Sequence, residues 1–448
     1  MKKVLAIILG AIFVLSFAAS AFAIHAEIPS ETQAVVARST TQITIDGEIR
    51  TRGWYQKNIN YGPAGTGIPN GFTGGSAGLP VDSSSEAWYD QRIRLSVDAK
   101  VTPNVEGYIQ LESGSGQNDL YTWGNFNSKP TGISVLQAWL LYSGQGLFGF
   151  PAGLKIGHMP LALGEKQFFD HTKFGDDAIV FFMDPMKELH IALLSVKFLE
   201  NSRFVNTDDL DGYVGLAVYK LDPKNTLGIN YTFLTASSGA GPVAGKSESN
   251  VELHANGDIS GLIYKASVDF QFGKKFENKG LEIKAKGWGA MLGLGYQWDW
   301  AGLRFGGAYG SGDDIDSKGE KRFDTFLGND QHYTLVYEYR VASAAGTINT
   351  GISNTTYLNL GLDVAPMKDL KASLDGYYLR ATKATFETQS KNIGWEVDAK
   401  AIYNIAKNLT YQIDAGVLFA GKFYEGAGEL GLDKKNATVV RHAITLSF

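Results

Sequence analysis

The 448-residue sequence contains no cysteine, which excludes disulfide bonds, thiolate metal sites and thiol nucleophiles. A chain without thiols can also cross an oxidising periplasm unfolded without forming a wrong disulfide. Proline is scarce, with 12 residues, whereas glycine (53), tyrosine (21) and phenylalanine (25) are abundant. This composition predicts many β-strands joined by turns.

Long apolar runs are also missing after residue 23. A transmembrane helix needs about 20 consecutive apolar residues. The densest apolar stretches, at 133–142, 178–183 and 191–196, are much shorter. The chain is therefore either soluble or crosses a membrane as a closed β-barrel.

The N-terminus has the features of a signal peptide. Lys2 and Lys3 precede an apolar stretch at 4–17, and Ala21-Phe22-Ala23 matches a small-x-small cleavage pattern. We expect a signal peptide at 1–23, a polar periplasmic extension at 24–40 and a transmembrane barrel at 41–448; an uncleaved anchor is the alternative. Cleavage changes the net charge from −5 to −7, because Lys2 and Lys3 are lost. A chain with net negative charge shows no sign of nucleic-acid binding.

Apolar and polar residues alternate along most of the chain, as they do in β-strands. Ile93, Leu95 and Val97 fall on one face of a strand, and Arg92 and Arg94 fall on the other. Strands of soluble sandwiches average about 5–6 residues, whereas these segments reach ten or more. The pattern favours tilted membrane strands whose apolar face meets lipid and whose charged face lines water.

The connections alternate between short turns and long loops, as in outer-membrane barrels with periplasmic turns and extracellular loops. About 19 segments resemble strands, but two periplasmic ends require an even number. Placing residues 331–353 in one long extracellular excursion gives about 18 strands. A barrel of 16 strands is the alternative.

The chain ends in Phe448 on an alternating final strand. Together with the signal peptide, this residue predicts the signal that barrel-assembly machinery recognises.

Three stretches resemble the bacterial alginate-export family: 136–140, 154–165 and the closing strand. The resemblance implies a monomeric outer-membrane barrel of 18 strands. It leaves the transported solute open, since fold alone does not specify cargo.

The most unusual segment, at 160–177, combines clustered phenylalanines with alternating charge. We expect it to fold into the lumen and narrow the pore, with an ordinary outward loop as the alternative. A metal site among its acids and histidine is a further alternative. Its candidate pore residues are Glu165, Lys166, Asp170, His171, Lys173, Asp176 and Asp177.

Four arginines form a second candidate set on the inferred water face of neighbouring strands: Arg50, Arg52, Arg92 and Arg94. Facing acids across the lumen, they would create a transverse field that sieves charged solutes. Alternatively, they pair with Glu48, Asp90 and Asp98 along the wall.

Motifs for catalysis are absent, including G-x-S-x-G, H-E-x-x-H and the phosphate loop, so we expect no enzyme and no cofactor. Three functions remain open: passive diffusion of small hydrophilic or charged solutes, substrate-specific or polysaccharide export, and a structural or adhesion barrel with a plugged lumen. The expected partners are outer-membrane lipid, barrel-assembly machinery and small solutes. The chain is expected to be a monomer or a homotrimer.

Overall fold

A computed structural model describes residues 41–60, 78–113, 121–124, 132–146, 149–200, 209–237, 243–314, 320–384, 387, 389–425 and 433–448. The expected signal peptide (1–23) and extension (24–40) lie outside the described residues. In the described ranges, no helix is both long enough and apolar enough to cross a membrane.

Eighteen long strands of the described chain form one closed antiparallel sheet. They are β1 (Gln42–Lys57), β2 (Glu86–Thr102), β3 (Val105–Ser113), β4 (Ile133–Gln145), β5 (Pro151–Met159), β6 (Asp176–Met186), β7 (Leu189–Leu199), β8 (Leu210–Asp222), β9 (Asn225–Ala236), β10 (Ser247–Ile259), β11 (Leu262–Asn278), β12 (Trp288–Gln297), β13 (Ala301–Gly310), β14 (Thr355–Met367), β15 (Leu370–Ala381), β16 (Asn392–Ala406), β17 (Leu409–Ala420) and β18 (Ala437–Ser447). Each strand pairs with the next, and β18 pairs with β1. The predicted all-β barrel of 18 strands is confirmed. The alternative of 16 is wrong because the short apolar stretch at 178–183 extends into a full strand, β6.

The two ends of the barrel differ in the length of their connections. Eight connections of two to five residues lie at one end, the turn side, and nine connections of nine residues or more lie at the other, the loop side. Phe448 also lies on the turn side, where its backbone exchanges hydrogen bonds with Gly47 of β1. The alternation of short turns and long loops agrees with the sequence-based expectation.

The two faces of the wall have opposite chemistry. On β2, Ile93 and Leu95 are 40% and 43% exposed on the outside, whereas Arg92 and Ser96 are 4% and 2% exposed on the inside. Exposed aromatic residues ring the outer surface near both ends: Trp298, Trp300 and Tyr403 on the turn side, and Trp288, Trp395 and Phe419 on the loop side. Aromatic girdles around an apolar band are typical of membrane barrels.

Several of the best-buried side chains belong to connections that fold into the interior, beside inward-facing residues of the wall. Tyr337, Phe169 and Phe323 are among the largest fully buried residues, and all three belong to connections. We call these connections the β5–β6 segment (residues 160–175) and the β13–β14 segment (residues 320–354). The expectation that residues 331–353 form an external excursion is therefore wrong. They start and end on the loop side but fold inward, because their aromatic side chains become buried there.

Candidate functional site: two segments inside the barrel

The β5–β6 segment crosses the interior from one wall to another. The Glu165 amide donates to the carboxylate of Glu252 at 2.7 Å, and Asn256 Nδ2 donates to Glu165 Oε1 at 2.8 Å. Both partners lie on β10, five strands further along the sheet. Phe168 and Phe169, each at most 3% exposed, pack in the apolar cluster that also includes inward residues of β6 to β8.

Most of the charged side chains in this segment are already paired. Asp170 is buried, accepts a hydrogen bond from the Thr172 hydroxyl at 2.7 Å and lies 3.8 Å from Lys166. His171 Nδ1 contacts Asp176 Oδ1 at 2.8 Å. Burial raises the pKa of Glu165, although the hydrogen bond from Asn256 opposes this effect. These contacts fix the position of the segment, and the paired side chains leave little net charge to interact with a solute.

Asp177 was expected to line the pore, and this prediction is wrong. The inner segment ends at Gly175, and Asp176 is already the first residue of β6. Strand alternation then directs Asp176 inward and Asp177 outward. The Asp177 side chain is 72% exposed and pairs with His158 at 2.9 Å. In the described part of the chain, no three histidine, aspartate or glutamate residues are placed to bind a metal ion.

The β13–β14 segment is attached to β16 of the wall by two carboxylates. The amides of Val336 and Tyr337 donate to the two oxygens of Glu396 at 2.6 and 2.8 Å. The amide of Leu335 donates to Asp398 at 3.0 Å. These bonds precede the short helix α1 (Tyr337–Arg340) and satisfy amides that a helix start leaves without intrahelical partners.

The arginine at the end of α1 reaches the wall near β1 and β2. Arg340 Nη2 donates to Gln56 Oε1 at 2.9 Å. Its guanidinium lies 5.5 Å from the ring centres of both Trp54 and Trp88, which stack on each other at 5.6 Å. The segment is therefore anchored at two separate places on the wall, since β16 and β2 are separated by four strand steps through β18 and β1.

The two inner segments also bind each other. The two-residue strands Phe169–Asp170 and Phe326–Leu327 pair in parallel. Phe326 N donates to Phe168 O, and Gly328 N donates to Asp170 O, both at 2.6 Å. The pair of segments thus forms one partition across the lumen.

The four predicted arginines differ in their pairing. Arg52 binds Asp90 at 2.7 and 3.1 Å, and Arg94 binds Glu112 at 2.5 Å, so both interact along the wall. Arg92 binds Glu48 on the wall at 2.8 Å and also reaches Asp330 of the β13–β14 segment at 3.0 Å. Arg50 differs, because its Nε and Nη2 atoms are buried and have no partner among the described residues.

Asp330 lies where the wall and both inner segments meet. Its two oxygens contact Arg92 Nη1 at 3.0 Å and Lys173 Nζ at 3.8 Å, and its side chain is 41% exposed. Burial alone would raise the pKa of Asp330, but Arg92, Lys173 and Arg50 lower it overall. Asp330 therefore stays ionised near neutral pH. The sequence pattern does not single out Asp330, because the connection that carries this residue is expected outside the barrel.

Comparison with known proteins agrees with this architecture. The family model described as Alginate export matches residues 212–437. No curated protein matches the chain in sequence. Three similar solved structures are from Pseudomonas aeruginosa. OccK5 (OpdH) has 12% sequence identity and a TM-score of 0.54, and the match covers 90% of this chain and 98% of that one. OccK9 (OpdG) has 11% identity and a TM-score of 0.55, with 91% and 98% of the two chains covered, and OpdL has 10% identity and a TM-score of 0.55, with 90% and 98% covered. At these identities the likeness shows the fold alone.

Proposed function

The chain belongs to the alginate-export family of outer-membrane β-barrels, and we propose that it is a non-enzymatic channel for passive diffusion of small hydrophilic or charged solutes. The observation that carries the proposal is the junction at Asp330. A water-accessible carboxylate there lies between Arg92 of the wall and Lys173 of the β5–β6 segment. Fixed charges at a narrowing select solutes by size and charge.

The partition favours small solutes over a polymer. A polysaccharide would need a continuous groove through the barrel, whereas two mutually hydrogen-bonded segments cross this lumen. Polysaccharide export therefore stands as the second candidate, which family membership supports. A plugged structural barrel is the third.

Ion conductance of the purified full-length protein in planar bilayers tests the proposal. We expect discrete, reproducible steps that small electrolytes carry. A barrel that inserts and gives no steps would be a plugged structural protein. Current block by long oligosaccharides, with no effect of small solutes, would favour the export function instead.

Replacing Asp330 should change ion selectivity. Asp330→Asn removes the negative charge beside Arg92 and Lys173, so we expect the reversal potential in a salt gradient to shift toward anion selectivity. Asp313→Asn on the same connection, outside the contact between the segments, is the control. Equal reversal potentials for the two variants would place the ion path away from Asp330.

The proposal also covers secretion of the chain and its assembly into the outer membrane. We propose cleavage after Ala23 and recognition of Phe448 by barrel-assembly machinery in the course of insertion. The mutual backbone hydrogen bonds of Gly47 and Phe448 support a closing role for Phe448, because they join the end of the chain after β18 to β1. N-terminal sequencing of the membrane-inserted protein tests the cleavage site, and its mass in detergent distinguishes a monomer from a homotrimer.

A further inference from the structure

A cavity of about 290 Å³ lies between the partition and the turn side of the barrel. Lys224 and Asp258, beside short turns, form part of its lining. Glu165 and Tyr333, one from each inner segment, bound it on the other side. A solute that leaves the constriction toward the turn side would therefore meet this cavity.

The cavity has a flat floor because inward positions of β12 and β13 are glycines. Gly293, Gly295 and Gly306 line it. A Cβ atom at Gly306 would lie 3.6 Å from its nearest neighbour, an atom of Asn359, and one at Gly295 would lie 3.8 Å from Arg304 Cγ. There is room for a methyl group at Gly306 and Gly295, and a longer side chain there would project into the cavity. At Gly293 the Lys265 side chain already fills this space, since a Cβ would lie 2.9 Å from its Cγ. The missing side chains leave this space open.

Tyrosines form the wall beside this floor. Tyr333 stacks on Tyr357 with ring centres 4.6 Å apart, and Tyr377 meets Tyr357 edge-on at 6.0 Å. The Tyr333 hydroxyl is buried and has no hydrogen-bond partner among the described residues. Buried hydroxyl groups are normally hydrogen-bonded, so a ligand that reaches this hydroxyl would supply the hydrogen bond that the described residues do not.

The charges around the cavity nearly cancel. Arg304 donates to Asp363 at 2.6 Å and to Asp375 at 2.9 Å, so two carboxylates surround one guanidinium. Lys265 also lines the cavity, and Glu165 is the acid from the inner segment. Such a site has no excess positive charge with which to attract an anion.

We propose that this cavity is a binding site for a neutral, ring-shaped polyol of monosaccharide size. The ring lies between the glycine floor and the tyrosine wall, and its hydroxyls hydrogen-bond to the Tyr333 hydroxyl and the Lys265 ammonium. Mostly apolar surfaces with a few placed polar groups are typical of small-ligand sites. The inference rests on the proposed channel function, since the bound polyol is a solute in transit.

Calorimetry on the full-length protein in detergent tests the site with two probes, D-glucose and D-glucuronate, which share a ring and differ in charge. We expect saturable binding of glucose and weaker binding of glucuronate, because the lining carries the acids Glu165 and Asp258 and its Arg304 is already paired with Asp363 and Asp375. Tyr333→Phe should weaken glucose binding by about three- to tenfold, the effect of one lost hydrogen bond. Tyr296→Phe, on the outer face of β12, should leave it unchanged.

A second pair of variants tests the floor. Gly306→Leu should abolish glucose binding by filling the cavity. Gly107→Leu, on the outer face of β3 with no atom within 4 Å of its added Cβ, should have no effect. The inference is overturned if glucose does not saturate, if glucuronate binds more tightly, or if Gly306→Leu binds like the parent. Ion conduction without glucose binding overturns this site alone, and glucose binding without conduction overturns only the channel function.

Discussion

Shortening the β5–β6 segment should raise single-channel conductance by about twofold or more, because pore conductance follows the narrowest cross-section. The variant replaces residues 162–173 with a short Gly-Ser linker between β5 and β6. It removes Lys173 from the Asp330 junction and Phe168 and Phe169 from the interior. Single-channel recordings at fixed salt concentration measure the change.

The same variant should be less heat-stable. The phenylalanines cover inward apolar side chains such as Leu194 and Val214, which would then face water. Each apolar side chain that loses its burial contributes about 1.5–3 kcal/mol less to stability. The temperature at which the folded band disappears on a gel should therefore fall as conductance rises.

A matched control shortens a connection that stays outside the lumen. The tip of the hairpin after β11 pairs across its own turn, Asn278 with Leu281 and Glu277 with Glu282. Shortening this tip should leave conductance at the parent value. If the β5–β6 variant inserts normally and conducts like the parent, the segment does not set the pore size.

The barrel itself was predictable because its signal is local. Alternation such as Arg92, Ile93, Arg94, Leu95 needs no knowledge of distant contacts, since each residue's direction follows from its neighbour's. Turn lengths constrain the register of neighbouring strands, and the even strand number agrees with a closed barrel whose two ends lie on the same side of the membrane. The inward fold of the β5–β6 segment was also suggested locally, because clustered phenylalanines are costly to leave in water.

The β13–β14 segment shows where this reasoning was incomplete. Strand parity predicts only that residues 331–341 are not a membrane strand, and it does not distinguish an external excursion from an inward fold. Yet Tyr333, Tyr337 and Tyr339 gave the same aromatic signal as Phe168 and Phe169. Clustered aromatic residues therefore favour a place in the lumen for both segments.

The attachment points of that segment could not be predicted from sequence. Glu396 and Asp398 appear as ordinary inward acids of an alternating strand. Their partners are main-chain amides about 60 positions away along the chain. Almost every residue type has such an amide, so the sequence does not show which amides these acids bind. Likewise, the Asp330 junction depends on three separate parts of the chain meeting at one point.

Glu396→Ala should release the β13–β14 segment and produce the largest loss of stability among single substitutions at the site. Val336 and Tyr337 are fully buried, and their amides would lose both acceptors. Each buried donor left unsatisfied costs about 1–3 kcal/mol, so a loss of several kcal/mol is expected.

Glu396→Gln keeps one carbonyl oxygen as an acceptor and should lose about half as much stability, whereas Glu282→Ala, on the exposed hairpin, should change it by less than about 0.5 kcal/mol. The heat-induced band shift on gels measures the order of stability of these three variants.

Bilayer recordings of Glu396→Ala should show noisier current with larger openings, because a detached segment moves within the lumen. If Glu396→Ala keeps the thermal midpoint and quiet current of Glu282→Ala, the Glu396 carboxylate does not hold the segment. The other contacts of the segment then suffice: Asp398 with the Leu335 amide, Arg340 with Gln56, Arg92 with Asp330, and the pairing with the β5–β6 segment.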